Sequence, residues 1–176
     1  MLYVQQSLSP GEELVFVGHF PWIYTANALM GIVWGAVGCA GVIAGTIYIQ
    51  NRFGEGFDTD NIIDMVRETH PGIRLGAFFI LLLGILRFAH MMMIRATTEV
   101  AVTTSRVIYK RGLVARYVGE MSIDRIESVN VLQTVMGRLL NYGRLMIHGM
   151  GVGEVMLPPL EDPINLRKAI EKARNS

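Results

Sequence analysis

The chain has 176 residues, of which 51% are hydrophobic and 18% are charged, and its formal net charge is +1. This composition is unusual for a soluble protein and ordinary for a small membrane protein, and we expect no nucleic-acid partner. The single cysteine, Cys39, excludes a disulfide within the chain.

Residues 1–21 precede the first long apolar run and contain no Lys or Arg. Leu14, Val15, Phe16 and Val17 predict a short strand, which ends at Gly18. A cleaved secretory signal is not favoured, because the basic start is missing and the apolar run that follows is too long. We expect residues 1–21 to lie in the cytoplasm.

The stretch from Phe20 to Asn51 contains no Asp, Glu, Lys, Arg or His. About 20 apolar residues are enough for a helix to cross roughly 30 Å of hydrocarbon. We therefore predict a first transmembrane helix over residues 22–49. Within it, glycines recur every three or four residues, at 31, 35, 38, 41 and 45. Most of them lie along one side of the helix and mark a helix-packing face: Gly31, Gly35, Gly38 and Gly45. This face either packs on the chain's own second span or forms a homo-oligomer or partner-subunit contact.

Residues 50–72 are expected to form an extracytoplasmic loop. The run Asp58-Thr59-Asp60, followed by apolar residues at 62, 63, 65 and 66, predicts a short amphipathic helix that Pro71-Gly72 would stop. A second transmembrane helix is predicted over residues 73–95. Arg87 and His90 interrupt its apolar run. Arg87 either extends its side chain to the interface or makes a structural contact, or else it is a functional group.

Lys and Arg residues are concentrated after the second span. Residues 95–176 hold 12 Lys or Arg against 8 Asp or Glu, a net of +4. The positive-inside rule then places the tail in the cytoplasm, and two spans bring the N-terminus to the same side.

Period-two alternation begins near residue 97 and predicts an antiparallel β-domain over residues 96–176. Six strands are expected, at 98–103, 106–110, 113–121, 126–132, 144–148 and 152–157, with Arg111-Gly112 as a tight turn. Pro158-Pro159 is expected to end the sheet. Asp162 can then cap a helix that has Pro163 at its first position. The fold class is α+β, with a sandwich or partial barrel capped by this helix.

Several of these segments resemble a bacterial pleckstrin-homology-like (PH-like) domain. The similar segments are Thr98 to Thr103, Arg106 to Ile108, Lys110 to Leu113, Met121 to Val129 and Leu139 to Leu145. In the last one the family usually has Gly-Tyr-Gly, where this chain has Asn141-Tyr142-Gly143. The resemblance implies a two-sheet, helix-capped β-domain at the inner face of a bacterial membrane, and it does not imply an enzyme.

Four basic residues are candidates for binding lipid headgroups or a partner: Arg106, Lys110, Arg111 and Arg116. The alternative is a solvated charged face. Some eukaryotic members of the wider fold bind phosphoinositides through a basic first hairpin loop, but the turn here, Thr104-Ser105, is short. The four histidines lack ligand spacing, so we expect no metal site. No nucleophile-elbow or phosphate-loop pattern is present either, and we expect no cofactor and no catalytic residue.

Two functional hypotheses follow. The first is a membrane-anchored adaptor or scaffold at the inner, cytoplasmic membrane of a bacterium, which binds the lipid surface, a protein partner or another copy of itself. The second is an accessory subunit of a larger membrane enzyme or transporter, docked through the glycine face. An autonomous enzyme is the least favoured class, because no set of residues forms a catalytic pattern.

Overall fold

The structure is a computed structural model that describes residues 4, 7–54, 61–112, 117–151 and 153–175. The described chain forms two compact units, one of Met1–Tyr24 with Met93–Ser176 and one of Thr25–Met92. Several sequence predictions fall wholly or partly outside the described residues. They are parts of the N-terminal segment at 1–21 and of the loop at 50–72, including the Asp58-Thr59-Asp60 start of the amphipathic helix, the first residues of the strands at 113–121 and 152–157, and the site residue Arg116.

Three helices follow the first strand: α1 (Trp22–Phe53), α2 (Ile62–Glu68) and α3 (Pro71–Thr97). Helices α1 and α3 are both long and apolar enough to cross a membrane. The short helix α2 begins after Asn61, whose side chain accepts a hydrogen bond from the Ile63 backbone N–H at 3.1 Å. Helix α2 ends at Glu68, before Pro71-Gly72, as the sequence predicts. Pro71-Gly72 also forms the first turn of α3, where a proline loses no helical hydrogen bond.

The unit of Met1–Tyr24 with Met93–Ser176, which we name the β unit, contains two antiparallel sheets. The first has the order β1-β2-β3-β4, with β1 at Leu14–Gly18, β2 at Glu99–Thr103, β3 at Arg106–Arg111 and β4 at Tyr117–Ser122. The second has the order β5-β6-β7, with β5 at Ile126–Leu132, β6 at Tyr142–Gly149 and β7 at Gly153–Met156, and β8 (Leu160–Glu161) also pairs with β6. Helix α4 (Val135–Leu139) connects β5 to β6, and α5 (Pro163–Arg174) ends the chain.

Strand β1 is the main departure from the sequence analysis, which treated residues 1–21 as separate from the domain at 96–176. Phe16 pairs with Val102, and Gly18 pairs with Val100, so β1 is an edge strand of the first sheet. The two apolar helices are therefore inserted between the first and second strands of one sheet. Local periodicity reveals a strand but not its partner, and this partner lies more than 80 residues away.

Pro158-Pro159 does not end the second sheet. The prolines interrupt the ladder because they have no N–H to donate, but Leu160 then pairs with Gly143 and is fully buried. Helix α5 begins at Pro163, after Asp162. The Asp162 carboxylate does not cap the helix and instead accepts a hydrogen bond from the Asn165 side chain at 2.6 Å.

The larger of two hydrophobic clusters among the described residues lies between the two sheets and α5, which contributes Leu166 and Ile170. It consists of Val100, Val102, Val107, Met121, Ile123, Ile126, Val129, Leu145, Ile147, Leu157, Leu160, Leu166 and Ile170. The mixed α+β class is confirmed. Within the described part of the chain no β-ladder joins the two sheets, and the partial barrel stays a prediction.

Candidate binding surface

Arg106, the first of the predicted basic residues, lies at the start of β3 and is bound by acidic and polar groups. Its guanidinium donates to both carboxylate oxygens of Glu12, at 3.0 and 2.7 Å, and to Glu120 Oε2 at 2.8 Å. It also donates to the Ser7 carbonyl at 2.9 Å. This arginine therefore ties the segment before β1 to the first sheet, and its donors are engaged within the protein.

Glu12 receives further donors that favour its charged form. The hydroxyls of Thr103 and Ser105 donate to Glu12 Oε1 at 2.6 and 2.9 Å, and the Ser9 backbone N–H donates to Oε2. The Glu12 side chain is 3% exposed. The Arg106 hydrogen bonds, supported by these donors, hold the pKa of Glu12 far below its ordinary value of 4.5, against the opposing effect of burial. The same pairing raises the pKa of Arg106.

Lys110 and Arg111 lie at the other end of β3 from Arg106. The Lys110 ammonium is 3.6 Å from a Glu99 carboxylate oxygen, and the Arg111 guanidinium lies 5.3 Å from the centre of the Tyr117 ring. The structure thus brings Lys110 and Arg111 together but leaves Arg106 at the far end of the strand. Headgroup or partner binding by these residues stays a prediction.

The glycine face of α1 meets α3 over part of its length. A Cβ on Gly84 would lie 2.5 Å from the Gly31 carbonyl oxygen and 3.1 Å from Gly35 Cα. Gly38 lies against the Ile80 side chain, and the aliphatic part of Arg87 passes over Gly31. A Cβ on Gly41 or Gly45 would meet nothing within 4 Å in the part of the chain that the structure describes.

Helix α4 presents apolar side chains that the sequence analysis did not single out. Val135, Met136 and Leu139 are 85%, 54% and 76% exposed. The helix is held by Thr134, whose hydroxyl accepts the Gly137 backbone N–H at 3.0 Å, and by Gln133, whose amide donates to the Tyr142 carbonyl at 3.1 Å. A residue larger than glycine does not fit at position 137, because its Cβ would lie 2.6 Å from the Tyr142 carbonyl oxygen.

A groove of about 460 Å³ lies beside α4. It is lined mainly by apolar atoms and carries one charged side chain, that of Arg144, among its lining residues: Leu132, Gln133, Thr134, Tyr142, Gly143, Arg144, Met156 and Pro159. We name α4 and this groove together the α4 surface. The signal in the sequence was an apolar cluster, Val135-Met136 and Leu139-Leu140, inside a connection where exposed polar residues are the rule.

The segment that resembles the family most closely forms one edge of the α4 surface. Asn141 has φ of 50°, the left-handed conformation that glycine adopts most easily and asparagine tolerates. This explains why Asn141 can stand where the family usually has glycine. Among the described residues, no three His, Cys, Asp or Glu side chains lie together as a metal site.

Comparisons with known proteins give one match. A family model described as Bacterial PH domain matches residues 28–174, which include most of α1, all of α3 and the chain from β2 to the end of α5, but not β1. The comparison with curated proteins and the comparison with solved structures found no match. The two-sheet, helix-capped unit agrees with this result, and such domains are in general non-catalytic binding modules. The chain belongs to the bacterial PH domain family.

Proposed function

We propose that this protein is a non-catalytic PH-like module anchored in a bacterial cytoplasmic membrane by a two-helix hairpin, where it acts as an adaptor for a protein partner. Both termini and the β unit lie in the cytoplasm, and the loop at 50–72 lies on the opposite side. The observation that carries the proposal is the pairing of β1 with β2, because it gathers the chain before α1 and the chain after α3 into one sheet.

The surfaces of the two long helices support a membrane location. In the most apolar 18-residue stretch of each helix, only 17% of the residues of α1 and 11% of those of α3 are buried. Large apolar side chains such as Trp34 (65% exposed) and Leu83 (64%) face outward. Water would make such surfaces costly, whereas lipid hydrocarbon is their natural surrounding. A helix in the core of a soluble protein would instead bury these side chains.

Reporter fusions test the proposed topology. A periplasm-active enzyme and a cytoplasm-active fluorescent protein are each fused after Gly54 and, separately, after Asn175. We expect the first site to report the exterior and the second the cytoplasm, because α3 returns the chain across the bilayer. An exterior signal at Asn175, or a full-length chain that remains soluble after gentle lysis, would overturn the proposal.

The adaptor role is tested at the groove of the α4 surface. A photoreactive amino acid is placed at Met156, which is 49% exposed and lines the groove, and at Lys168 on the exposed side of α5 as the matched control. We expect an adduct of one defined mass at Met156 and none at Lys168. We also expect Leu132→Asp, at the rim of the groove, to reduce that adduct. Equal adducts at both positions would contradict the adaptor role.

The second candidate is an accessory subunit of a larger membrane enzyme or transporter. It is favoured by the open space around Gly41 and Gly45, which continue the face that α3 covers only near Gly31, Gly35 and Gly38. Replacing both open glycines with Leu should then detach the protein from its complex on native gels and leave the α1–α3 contact intact. Unchanged co-migration would reject this candidate.

A further inference from the structure

We propose that α4 is a second membrane contact, whose apolar side chains enter the lipid–water interface of the bilayer that holds α1 and α3. The inference rests on the proposed function in one respect, namely that these two helices span the bilayer. It adds the part of the β unit that contacts lipid and the chemistry of what it contacts: an interface that contains anionic headgroups.

The exposed side chains of α4 are the first argument. Val135 and Leu139 are four residues apart and therefore lie on one side of the helix, and Met136 adjoins them. Three such side chains on a five-residue helix form a compact apolar tip. The Thr134 cap and the Gln133 amide hold this tip in a folded conformation, so its exposure is not the result of a frayed loop. Short apolar projections of this kind partition into the boundary between headgroups and acyl chains.

The position of α4 is the second argument. The residues that follow α4 are joined to the residues that precede α1, entirely within the β unit. The Asp162 N–H donates to the Asn141 carbonyl at 3.0 Å, and the next residue back, Glu161, donates to the His19 carbonyl at 2.8 Å. Helix α1 begins at Trp22, three residues after His19, and three residues span at most about 10 Å. The α4 tip thus belongs to the end of the domain where the chain enters its first apolar helix.

The charge around α4 is the third argument. Between Ser128 and Gly153 the sequence contains Arg138 and Arg144 but no Asp or Glu, and both arginines are exposed. Lys110 and Arg111 lie at the same end of the domain. Lys110 on β3 pairs with Glu99 on β2, and the next residue of β2, Val100, pairs with Gly18 at the end of β1. Glu161 on β8 and Asp162, the next residue, adjoin this region, so we expect the attraction to anionic lipid to be modest. The apolar tip supplies the main interaction, and Arg138 adds a lipid preference.

The test uses the full chain with Cys39→Ala, reconstituted in vesicles of zwitterionic lipid with or without a minority of phosphatidylglycerol. An environment-sensitive fluorophore is attached at Leu139→Cys or, as the matched control, at Met150→Cys. Met150 is an equally apolar, exposed residue (59%) in the turn at the opposite end of β6. Lipids that carry a quencher near the headgroup should quench the label at Leu139 at least about twofold more than the label at Met150. Lipids that carry the quencher deep in the chains should have less effect at Leu139.

Two further variants separate the possible outcomes. A label at Val37→Cys in α1 reports helix insertion through the deep quencher. Deep quenching at Val37 without shallow quenching at Leu139 overturns the α4 contact but not the anchor, and the absence of both overturns the proposed function as well. Arg138→Gln should remove the extra quenching seen with phosphatidylglycerol and leave the remainder. A Leu139 label that is shifted to the blue but insensitive to every lipid quencher means that protein, such as a second copy of the chain, covers α4, and this also overturns the proposal.

Discussion

Glu12 and Arg106 join two parts of the chain that are 94 residues apart in sequence. The pair has the bidentate geometry in which an arginine–carboxylate contact is strongest, and the Glu12 carboxylate is almost fully shielded from water. Hydroxyl and backbone donors satisfy its remaining lone pairs. Removing one member of such a buried pair destabilises a protein strongly, because the other charge is left without a partner. The residue predicted as a headgroup ligand is therefore also a structural connection.

We expect Glu12→Gln to lower the free energy of unfolding by about 3 kcal/mol, the lower end of the range for breaking a buried ion pair, since Arg106 stays partly exposed. The pKa of Glu12 is depressed in the folded state, so its contribution is complete above the ordinary pKa of 4.5 and is lost as the pH falls below it. Thermal unfolding in detergent from neutral to acidic pH should show a steeper loss for the natural sequence than for Glu12→Gln.

The control for this prediction is Glu171→Gln, which removes the partner of Arg167 in the exposed pair on α5. That change should cost only a few tenths of a kcal/mol, about the value of an exposed helical pair. Equal losses in the two variants would contradict the structural role assigned to Glu12.

Asn141 gives a second prediction at the residue scale. Because its φ is positive, Asn141→Ala should destabilise the protein by about 1 kcal/mol, whereas Asn141→Gly should be neutral or stabilising. The same change to glycine at Asn130, an exposed position on β5, should instead destabilise the protein. The strand loses a side chain that packs on its neighbours, and the unfolded chain gains conformational entropy. Melting temperatures of the three variants decide the matter. A loss of stability in Asn141→Gly would show that the asparagine side chain, and not the backbone angle, is what the site requires.

At the scale of elements, the pairing of α1 and α3 depends on the absence of side chains at the point where they meet. Gly31, Gly35 and Gly84 allow the two backbones to come into contact. In a bilayer, as we propose, dispersion between closely packed backbones would replace the hydrophobic drive that lipid does not provide. Beyond this contact the helices display large apolar residues, which need no complementary partner if lipid surrounds them.

We expect Gly84→Ala to weaken the helix pair by about 1–3 kcal/mol, as overpacking does, since the new Cβ would meet the Gly31 carbonyl oxygen. Gly76→Ala is the matched control on the same helix. A Cβ there meets nothing within 4 Å in the described structure, so the change should be neutral or slightly favourable through helix propensity. Unfolding in mixed micelles with an increasing fraction of denaturing detergent measures both. The prediction fails if the two variants unfold at the same fraction.

At the scale of the whole molecule, the PH-like unit is discontinuous in sequence. Its first sheet takes β1 from before the helices and β2, β3 and β4 from after them. Helix α5 contacts strands from both sides of the insertion, including β1 and β2. The helical segment is therefore an insertion whose two ends are fixed by one folded unit. The N-terminal segment, which contains β1, contributes to the stability of that unit.

Removing residues 2–18 tests this. The truncated chain keeps the whole stretch that matches the family, but it loses β1 and the Glu12–Arg106 pair. We expect the β unit to become sensitive to protease at a temperature where the full chain resists. A chain that lacks only Asn175 and Ser176, which follow the end of α5, should resist as well as the full chain. Equal resistance of both truncations would show that the unit is complete without β1.

The two apolar helices, the mixed α+β class and the family could be predicted from the sequence, because each depends on local signals. Each of these signals can be recognised within a short stretch of sequence. They are a run without charged residues, an alternation with a period of two, and a proline that follows a potential helix cap. The α4 surface was missed for a related reason. Its apolar residues lie in a short connection, and only the packing of Gly137 on Tyr142 shows that they point outward from a fixed helix.

The order of the amino acids is enough to identify which segments are apolar, which alternate between polar and apolar residues, and where glycines allow two backbones to meet. The tertiary structure alone decided which strand pairs with which, and hence that Leu14–Gly18 completes a sheet whose other strands begin at Glu99. It also decided that Arg106 binds Glu12, whereas the sequence had suggested a residue that binds lipid headgroups or a partner. The physical reason is that hydrogen-bond ladders and ion pairs join groups that are close in space. Local sequence patterns carry no information about a partner that lies more than 80 residues away along the chain.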